Sequence, residues 1–368
     1  MERSADASIS GHSTALFCPR NSSSRSLVSQ ATKSLMDRRD QSDFHKVTEP
    51  GQRNTQSLTS RGRLLDVSSK AFGTLTEFPL DPISEMTACQ RALQQEGYLY
   101  LKAFWNRTDI LSARAQLLEA IAKAGLLDPS RNPMEAIPKP SKLNRSQDKR
   151  SGSATIGTIV DQVPAIKKIL FEGRIMDFFD QFLGGSSLHY DQIWYRSIKP
   201  GLGTAPHCDI VYMGRGTQNL YTAWVPWGDI DLRMGGLMIL EDSLAQQQRL
   251  SPYLHRDVDS YCSNRPQPDP LDLDAKSDRN VWSGWLSENP VSLRERLGGR
   301  WLTAKQFEMG DLVIFSTKLV HASLDNHSDQ IRISTDTRYQ LASQPVDERW
   351  VGPGPLGHIG RHKRGRIC

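Results

Sequence analysis

The sequence predicts a mainly β domain with flanking N-terminal helices, a barrel or jelly roll set behind a polar tail. Three observations carry that prediction. From Ser187 onward the chain breaks into short apolar runs separated by Gly, Pro, Asn and Asp, the grammar of many short strands. Between Ser84 and Leu183 apolar residues recur at helical spacing instead. Residues 1–65 are rich in Ser, Thr, Arg and Gln, with apolar residues too sparse to show a period, and are expected to form a disordered basic tail.

The elements follow in order. Ser84 to Glu96 reads as a helix, with Gly97 where a left-handed C-terminal cap belongs. Tyr98 to Phe104 reads as a strand. Thr108 and Asp109 are suited to cap a second helix reaching Lys123 and ended by Gly125. Ile166 to Leu183 is a third helix, stopped by Gly184-Gly185. Strands are expected over 188–198, 207–213, 220–227, 236–240, 311–320 and 331–341. Residues 243–303 interrupt them with a Pro-, Asp- and Trp-bearing insertion that lacks a clear period. No internal repeat is found.

With 38% hydrophobic and 24% charged residues, the 368-residue chain can bury a sizeable core. No run approaches the roughly 18 apolar residues of a spanning helix, and the mean hydropathy of -0.50 agrees, so no membrane partner is expected. Five scattered cysteines without a CxxC pair argue against a disulfide framework or thiolate zinc site and for a reducing compartment. The net charge of +5 is concentrated at the ends, in residues 1–63 and in Arg361 to Cys368, which leaves the body slightly acidic and without a nucleic-acid footprint. Abundant Arg and Ser at the start admit a transit peptide, although Glu2 and Asp6 speak against it and no apolar segment for secretion exists. A cytoplasmic location is expected, with organellar import left open, and the oligomeric state is not legible.

Two His-x-Asp triplets occur. His255-Arg256-Asp257 imitates the start of a kinase catalytic loop, but Val258 to Cys262 provides no Asn at its place, and no Gly-rich loop or D-F-G accompanies it. It is read as a solvated pair in the insertion. His207-Cys208-Asp209 leads into Ile210, Val211 and Tyr212, read as a strand, where residues two apart share a face. One imidazole and one carboxylate on one face make two-thirds of the triad that binds non-haem iron(II) and leaves positions open. A plain His–Asp hydrogen bond would look the same. The third ligand must come from elsewhere, and His321 ends the run Asp311 to His321. If a hairpin is centred between Asn326 and His327, His321 lies opposite Arg332, with Ser323 and Ser334 on the same face. Arg332, Ser334, Asp336, Arg338 and Gln340 then make one polar face of the return strand. That face suits a polar barrel interior at an active site, and equally a solvent-exposed edge strand.

The segments APHCDIVYM (205–213), YTAWVPW (221–227), GGLMILEDS (235–243) and GDLVIFSTKLVHASLDNHSDQIRIS (310–334) resemble the phytanoyl-CoA dioxygenase family of iron(II)- and 2-oxoglutarate-dependent oxygenases. The likeness is looser from about Phe72 to Pro200 and absent from the tails. The specific part is HxD followed by H-x-S and an Arg eleven residues after the distal His. The resemblance implies a double-stranded β-helix (jelly roll, cupin-like) domain over 66–360. From their place between two strands, residues 243–303 are expected to form a substrate-selecting lid, a disordered surface excursion being the alternative, and from their charge residues 361–368 are expected to form a basic C-terminal tail. The resemblance makes His207, Asp209 and His321 the metal ligands and catalytic centre. Arg332 would pair with the distal carboxylate of 2-oxoglutarate, a task suited to a guanidinium fork. Ser323 and Trp224 would line the co-substrate pocket, Ser334 completes an R-x-S pattern, and Gln192 and Tyr195 are candidates for the N-terminal co-substrate contact. The cofactors implied are Fe(II), 2-oxoglutarate and O2, with ascorbate as a reductant, and the reaction is hydroxylation of a small organic substrate with release of succinate and CO2.

The sequence departs from the family where Leu240-Glu241-Asp242-Ser243 lacks a usual Gly-Ser-His, so the parent substrate does not carry over. Asp209 is kept, as in hydroxylases rather than halogenating relatives. Two other readings stand beside this one. A non-catalytic metal-binding cupin-like module would use the same ligands but leave Arg332 without a task, and a scaffold would work through its basic tails.

Overall fold

The chain is ordered nearer to its start than the sequence predicts. A computed structural model describes residues 57–78, 84–140, 159, 161–258, 283–355 and 357. The rest of the expected tail, residues 361–368, and residues 259–282 of the insertion with Trp282 lie outside the described residues. Residues 57–65, assigned above to the tail, form a hairpin of β1 (Thr59–Ser60) and β2 (Arg63–Leu64). Its two turn residues, Arg61 and Gly62, have φ of 54° and 71°, the left-handed pair whose twist matches the flanking strands. Leu58 and Leu65 are buried beside it. The ordered body therefore begins before residue 66.

β3 (Phe72–Thr74) and β4 (Glu77–Phe78) lead to α1 (Met86–Glu96), which ends at Gly97 in the left-handed conformation expected of it. After β5 (Tyr98–Leu101) comes α2 (Arg107–Lys123). Its cap is Asn106, whose side chain accepts from the Thr108 amide, and not Thr108 or Asp109. The single helix expected over 166–183 is two, α3 (Pro164–Phe171) and α4 (Arg174–Leu183), parted at Gly173 with φ of 60°.

Strand 188–198 divides into β6 (Ser187–His189) and β7 (Trp194–Ile198). Residues 207–213 are not a strand. His207 makes a single bridge, and Asp209 opens a one-turn helix, α5 (Ile210–Met213). Next come β8 (Tyr221–Pro226), β9 (Ile230–Asp231) and β10 (Leu237–Leu240). The insertion holds α6 (Gln247–Leu254) and α7 (Pro290–Leu297) and ends sooner than expected, because β11 (Trp301–Thr303) is an integral strand. β12 (Gln306–Phe307), β13 (Leu312–Ser316), β14 (His321–Ser323) and β15 (Arg332–Leu341) complete the chain.

A seven-stranded sheet runs β4-β5-β13-β8-β15-β6, with β7 also on β15, and a four-stranded sheet runs β14-β10-β11-β3. Alternation sorts their side chains. Trp224, Val313 and Phe315 of the large sheet pack with Leu237, Ile239 and Leu302 of the small one in a shared interior. The opposite face of the large sheet, with Ala223, Val225, Leu312 and Ile314, buries against α2, α3 and α4. The outer face of the small sheet, with Met238, Leu240 and Ala322, covers Leu250, Tyr253 and Leu293 of the insertion's helices. This is a jelly-roll sandwich with helices on both outer faces.

The run Asp311 to His321 thus belongs to two sheets. β13 pairs with β5 and β8, whereas β14 pairs with β10 and sets His321 opposite Ile239. Arg332 stands opposite Ile198 of β7. The expected hairpin register between His321 and Arg332 is incorrect, since the loop at Asp325-Asn326 carries the chain across the sandwich rather than back along one sheet.

Candidate metal centre

Two backbone devices bring His207 and His321 together. Each donates its amide to the other's carbonyl at 3.0 Å, so the loop carrying His207 is fastened to β14. The helical turn at Asp209 then swings its carboxylate back toward both rings. Asp209 Oδ1 lies 3.6 Å from His207 Nε2 and 3.7 Å from His321 Nε2. The three ligating atoms lie within 4.8 Å of one another, and all three residues are buried. The convergence expected from the sequence is present, although its premise of two same-face residues on one strand is not.

The hydrogen bonds fix which atoms face the centre. His207 Nδ1 is 2.8 Å from Ala205 O, and His321 Nδ1 is 3.1 Å from Leu319 O. Since carbonyls only accept, both rings donate from Nδ1 and keep the Nε2 lone pair for a metal. Burial, followed by the neighbouring His321, pushes the His207 pKa down to about 3. Burial also lowers that of His321. Both imidazoles are therefore neutral at physiological pH. Burial alone would raise the Asp209 pKa, but Arg338, the two imidazoles and the Thr222 hydroxyl outweigh it and hold the carboxyl below its usual range. Thr222 Oγ1 and Arg338 Nη2 each lie 2.7 Å from Asp209 Oδ2, on the side away from the histidines.

Of the remaining sequence candidates, Arg332, Ser323 and Trp224 line the cavity that contains the two histidines. Arg332 is 2% exposed, and no carboxylate pairs with it among the described residues. Its Nη1 donates to Gly235 O, and its Nε has no partner among them. Gly235 can turn its carbonyl there because it sits at φ of 78°, where a Cβ would strike Asp325 O at 2.5 Å. Burial and the nearby Arg196 push the Arg332 pKa down to about 9, partly offset by Asp336. Ser323 Oγ accepts from the Thr204 amide at 2.8 Å and keeps its own proton to donate. Ser334 is fully buried on the Arg332 face, and its Oγ has no partner among the described residues.

Two candidates fall elsewhere. Gln192 spends its side-chain amide on Ile193 O, and Tyr195 is buried in the core between the large sheet and the helices. Residues not singled out for roles stand in their place. Arg196 and Asp336 line the cavity and pair through a two-pronged contact of 2.9 and 3.2 Å, and Arg338 hydrogen-bonds Asp336 through Nη1 while its Nη2 lies at ion-pair distance from Asp209. Asp336 and Arg338 had a sequence signal, the polar face of β15. Arg196 had none.

The insertion also reaches the centre from outside. Tyr253 Oη accepts from the amide of Cys208, between the two candidate ligands, and donates to Gly284 O. Tyr212 Oη donates to Ser283 O and the Leu286 amide to Pro206 O. His255-Arg256-Asp257 provides no chemistry at the centre, and Asp257 pairs with Arg215 at 2.6 Å.

The donor set fits an iron(II) ion. It has two neutral nitrogens and one anionic oxygen on one side, which leaves coordination positions open on the other. Arg332, with no carboxylate partner among the described residues, together with Ser323 and Ser334 fits the carboxylate of a dicarboxylate such as 2-oxoglutarate. Among the described residues, no helix is long and apolar enough to cross a membrane.

A family model described as phytanoyl-CoA dioxygenase (PhyH) matches residues 93–334. No curated protein sequence matches the chain. Solved structures similar to it include the epimerase SnoN in complex with Fe3+, alpha ketoglutarate and nogalamycin RO (16% identity, 75% of this chain and 94% of that one, TM-score 0.46). The carbocyclase SnoK from nogalamycin biosynthesis is similar at 16% identity, over 77% and 94% of the two chains, with TM-score 0.45. EctD from S. alaskensis with bound Fe is similar at 17% identity, over 83% and 95%, with TM-score 0.44.

Proposed function

Since the chain belongs to the phytanoyl-CoA dioxygenase family, we propose that it is an iron(II)- and 2-oxoglutarate-dependent dioxygenase that hydroxylates a small organic substrate. One observation carries the reading: the His207, Asp209 and His321 ligating atoms converge within 4.8 Å, and the two histidines line a cavity shared with Arg332, a buried guanidinium with no carboxylate partner among the described residues. A metal site alone would not explain that cation, because an unpaired buried charge costs several kcal/mol. An anionic co-substrate explains it, and this argues against a non-catalytic metal-binding cupin-like module.

Iron with 2-oxoglutarate would supply the oxidising chemistry, the co-substrate leaving as succinate and CO2. The protein's own groups place the reactants. His207 and His321 present neutral Nε2 atoms, and Asp209 presents Oδ1 while Thr222 and Arg338 occupy Oδ2. Arg332 and Ser323 would hold the distal carboxylate of 2-oxoglutarate, with Trp224 packing along its chain. Phe315 and Leu237 line the cavity with apolar surface. Segment 283–286 borders the loop 206–212, which supports a role for the insertion at the substrate side. Gln192 and Tyr195 have no part in this arrangement.

The deciding experiment is formation of succinate from 2-oxoglutarate by the full chain, anaerobically loaded with Fe(II) and then supplied with O2 and ascorbate. Slow succinate release without substrate, accelerated by compounds from a metabolite screen, is the expected outcome. Tight metal binding without any succinate would instead favour the non-catalytic module.

A further inference from the structure

We propose that Arg338 is a positioning residue that keeps the Asp209 carboxylate on the metal by a single oxygen. The proposal rests on the oxygenase reading above and adds a role to a residue outside the ligand set. A carboxylate can bind a metal through one oxygen or both. With two imidazole nitrogens and one oxygen bound, a six-coordinate metal would keep three positions open, enough for a chelating 2-oxoacid and one further ligand. With both oxygens bound only two remain, and a chelating co-substrate would fill them. Something must therefore occupy the second oxygen.

The sheet register assembles the device. Arg338 of β15 lies directly opposite Thr222 of β8, and both reach Asp209 Oδ2 at 2.7 Å. The Thr222 hydroxyl donates to that oxygen and the Arg338 guanidinium pairs with it by charge, which together hold it away from the centre and leave Oδ1 facing the histidines. Arg338 is itself immobilised. It is 0% exposed, its Nη1 lies 2.7 Å from Asp336 Oδ2, and its guanidinium sits 4.1 Å from the centre of the Trp194 ring. Asp336 is two residues before it on the same face and is gripped by Arg196, which lines the cavity. The order Arg196, Asp336, Arg338, Asp209 alternates in charge from the cavity wall to the ligand, so each buried ion has a partner of opposite sign.

The test uses cobalt(II) as a spectroscopic substitute for iron, titrated into the metal-free full chain and followed by visible absorption with and without 2-oxoglutarate. Arg338→Met is expected to weaken cobalt binding by about 10–100-fold, the usual cost of losing a group behind a ligand. It is also expected to blunt the spectral change that 2-oxoglutarate produces in the native protein. Arg338→Lys should recover part of both, because an ammonium restores charge but not the fork that spans Asp209 and Asp336. Thr222→Val keeps the ion pair and should show a smaller loss in the same direction. It also serves, with Arg338→Lys, if Arg338→Met does not fold by circular dichroism. Native affinity and native spectra in the folded variants would overturn the proposal and leave Arg338 as a stabilising ion alone. Failure of the native chain to bind cobalt would overturn the oxygenase reading instead.

Discussion

His207 and His321 exchange two backbone hydrogen bonds of 3.0 Å, so two candidate ligands far apart in sequence are paired like neighbours in a ladder. Their rings follow, with centroids 4.2 Å apart. Because the main chain makes this connection, the side chains can be changed without undoing it. His207→Ala and His321→Ala should each remove stoichiometric iron binding and leave the far-ultraviolet circular dichroism of the native protein. Metal content after gel filtration checks this, and full iron occupancy in either variant would remove that residue from the ligand set.

Arg332 separates co-substrate binding from metal binding. Its guanidinium hydrogen-bonds Gly235 O and lines the cavity that holds His207 and His321. Arg332→Lys should raise the KM for 2-oxoglutarate by about tenfold or more, equivalent to roughly 1.4 kcal/mol of lost binding, with iron affinity unchanged. An unchanged KM would show that the distal carboxylate is held elsewhere.

The convergence of these residues was legible in the sequence for reasons that were only partly correct. The alternation of β15 put Arg332, Ser334, Asp336 and Arg338 on one face, and a buried interior keeps them there. Ile210 to Tyr212 looked like a strand because β-branched and aromatic residues favour one, yet tertiary bonds override that preference. Tyr253 holds the Cys208 amide, and Thr317 O accepts from the Ile210 amide. A local hairpin register also could not reveal that β14 and β15 lie in different sheets, since the crossing depends on Asp325 and its distant partners. Arg196 carries no periodic signal, and only pairing of β7 with β15 sets it beside Asp336.

The metal-free protein should lose stability on mild acidification. An unfolded His207 takes a proton near pH 6.5, whereas the folded one resists until about 3 because it is buried beside His321. Between those values the unfolded chain binds the extra proton, so stability rises with pH and falls as pH drops through this window. Its contribution is complete above about pH 6.5 and shrinks by about 1 kcal/mol for each unit below it. Asp209, also held below its ordinary value, adds a loss of the same sign at lower pH. Thermal midpoints of the metal-free chain between pH 8 and 5 should be flat and then fall, with a shallower fall in His207→Gln. Identical slopes in both proteins would place the proton uptake elsewhere.

Asp325 gives the N-terminal hairpin a structural task. Its carboxylate accepts from Thr59 Oγ1, the Arg61 and Gly62 amides and the Gly203 amide, at 2.6 to 2.9 Å. One buried side chain thus joins three pieces: the β1–β2 turn, the loop that leads to His207, and the loop between His321 and Arg332. Ser60 Oγ, donating to Ser323 O at 2.8 Å, reinforces the join at a cavity-lining residue. Asp325→Ala would leave several of these donors unpaired, and each buried one costs about 1–3 kcal/mol. The variant should therefore melt several degrees lower and bind 2-oxoglutarate more weakly, because Thr204 and Ser323 lie along the same seam. Deleting residues 1–65 should reproduce that loss, since it removes the hairpin that the carboxylate holds. Differential scanning calorimetry of both variants checks the coupling. A native melting temperature in the deletion would show that the hairpin decorates the domain, and an equally stable Asp325→Ala would show that its donors find water without cost.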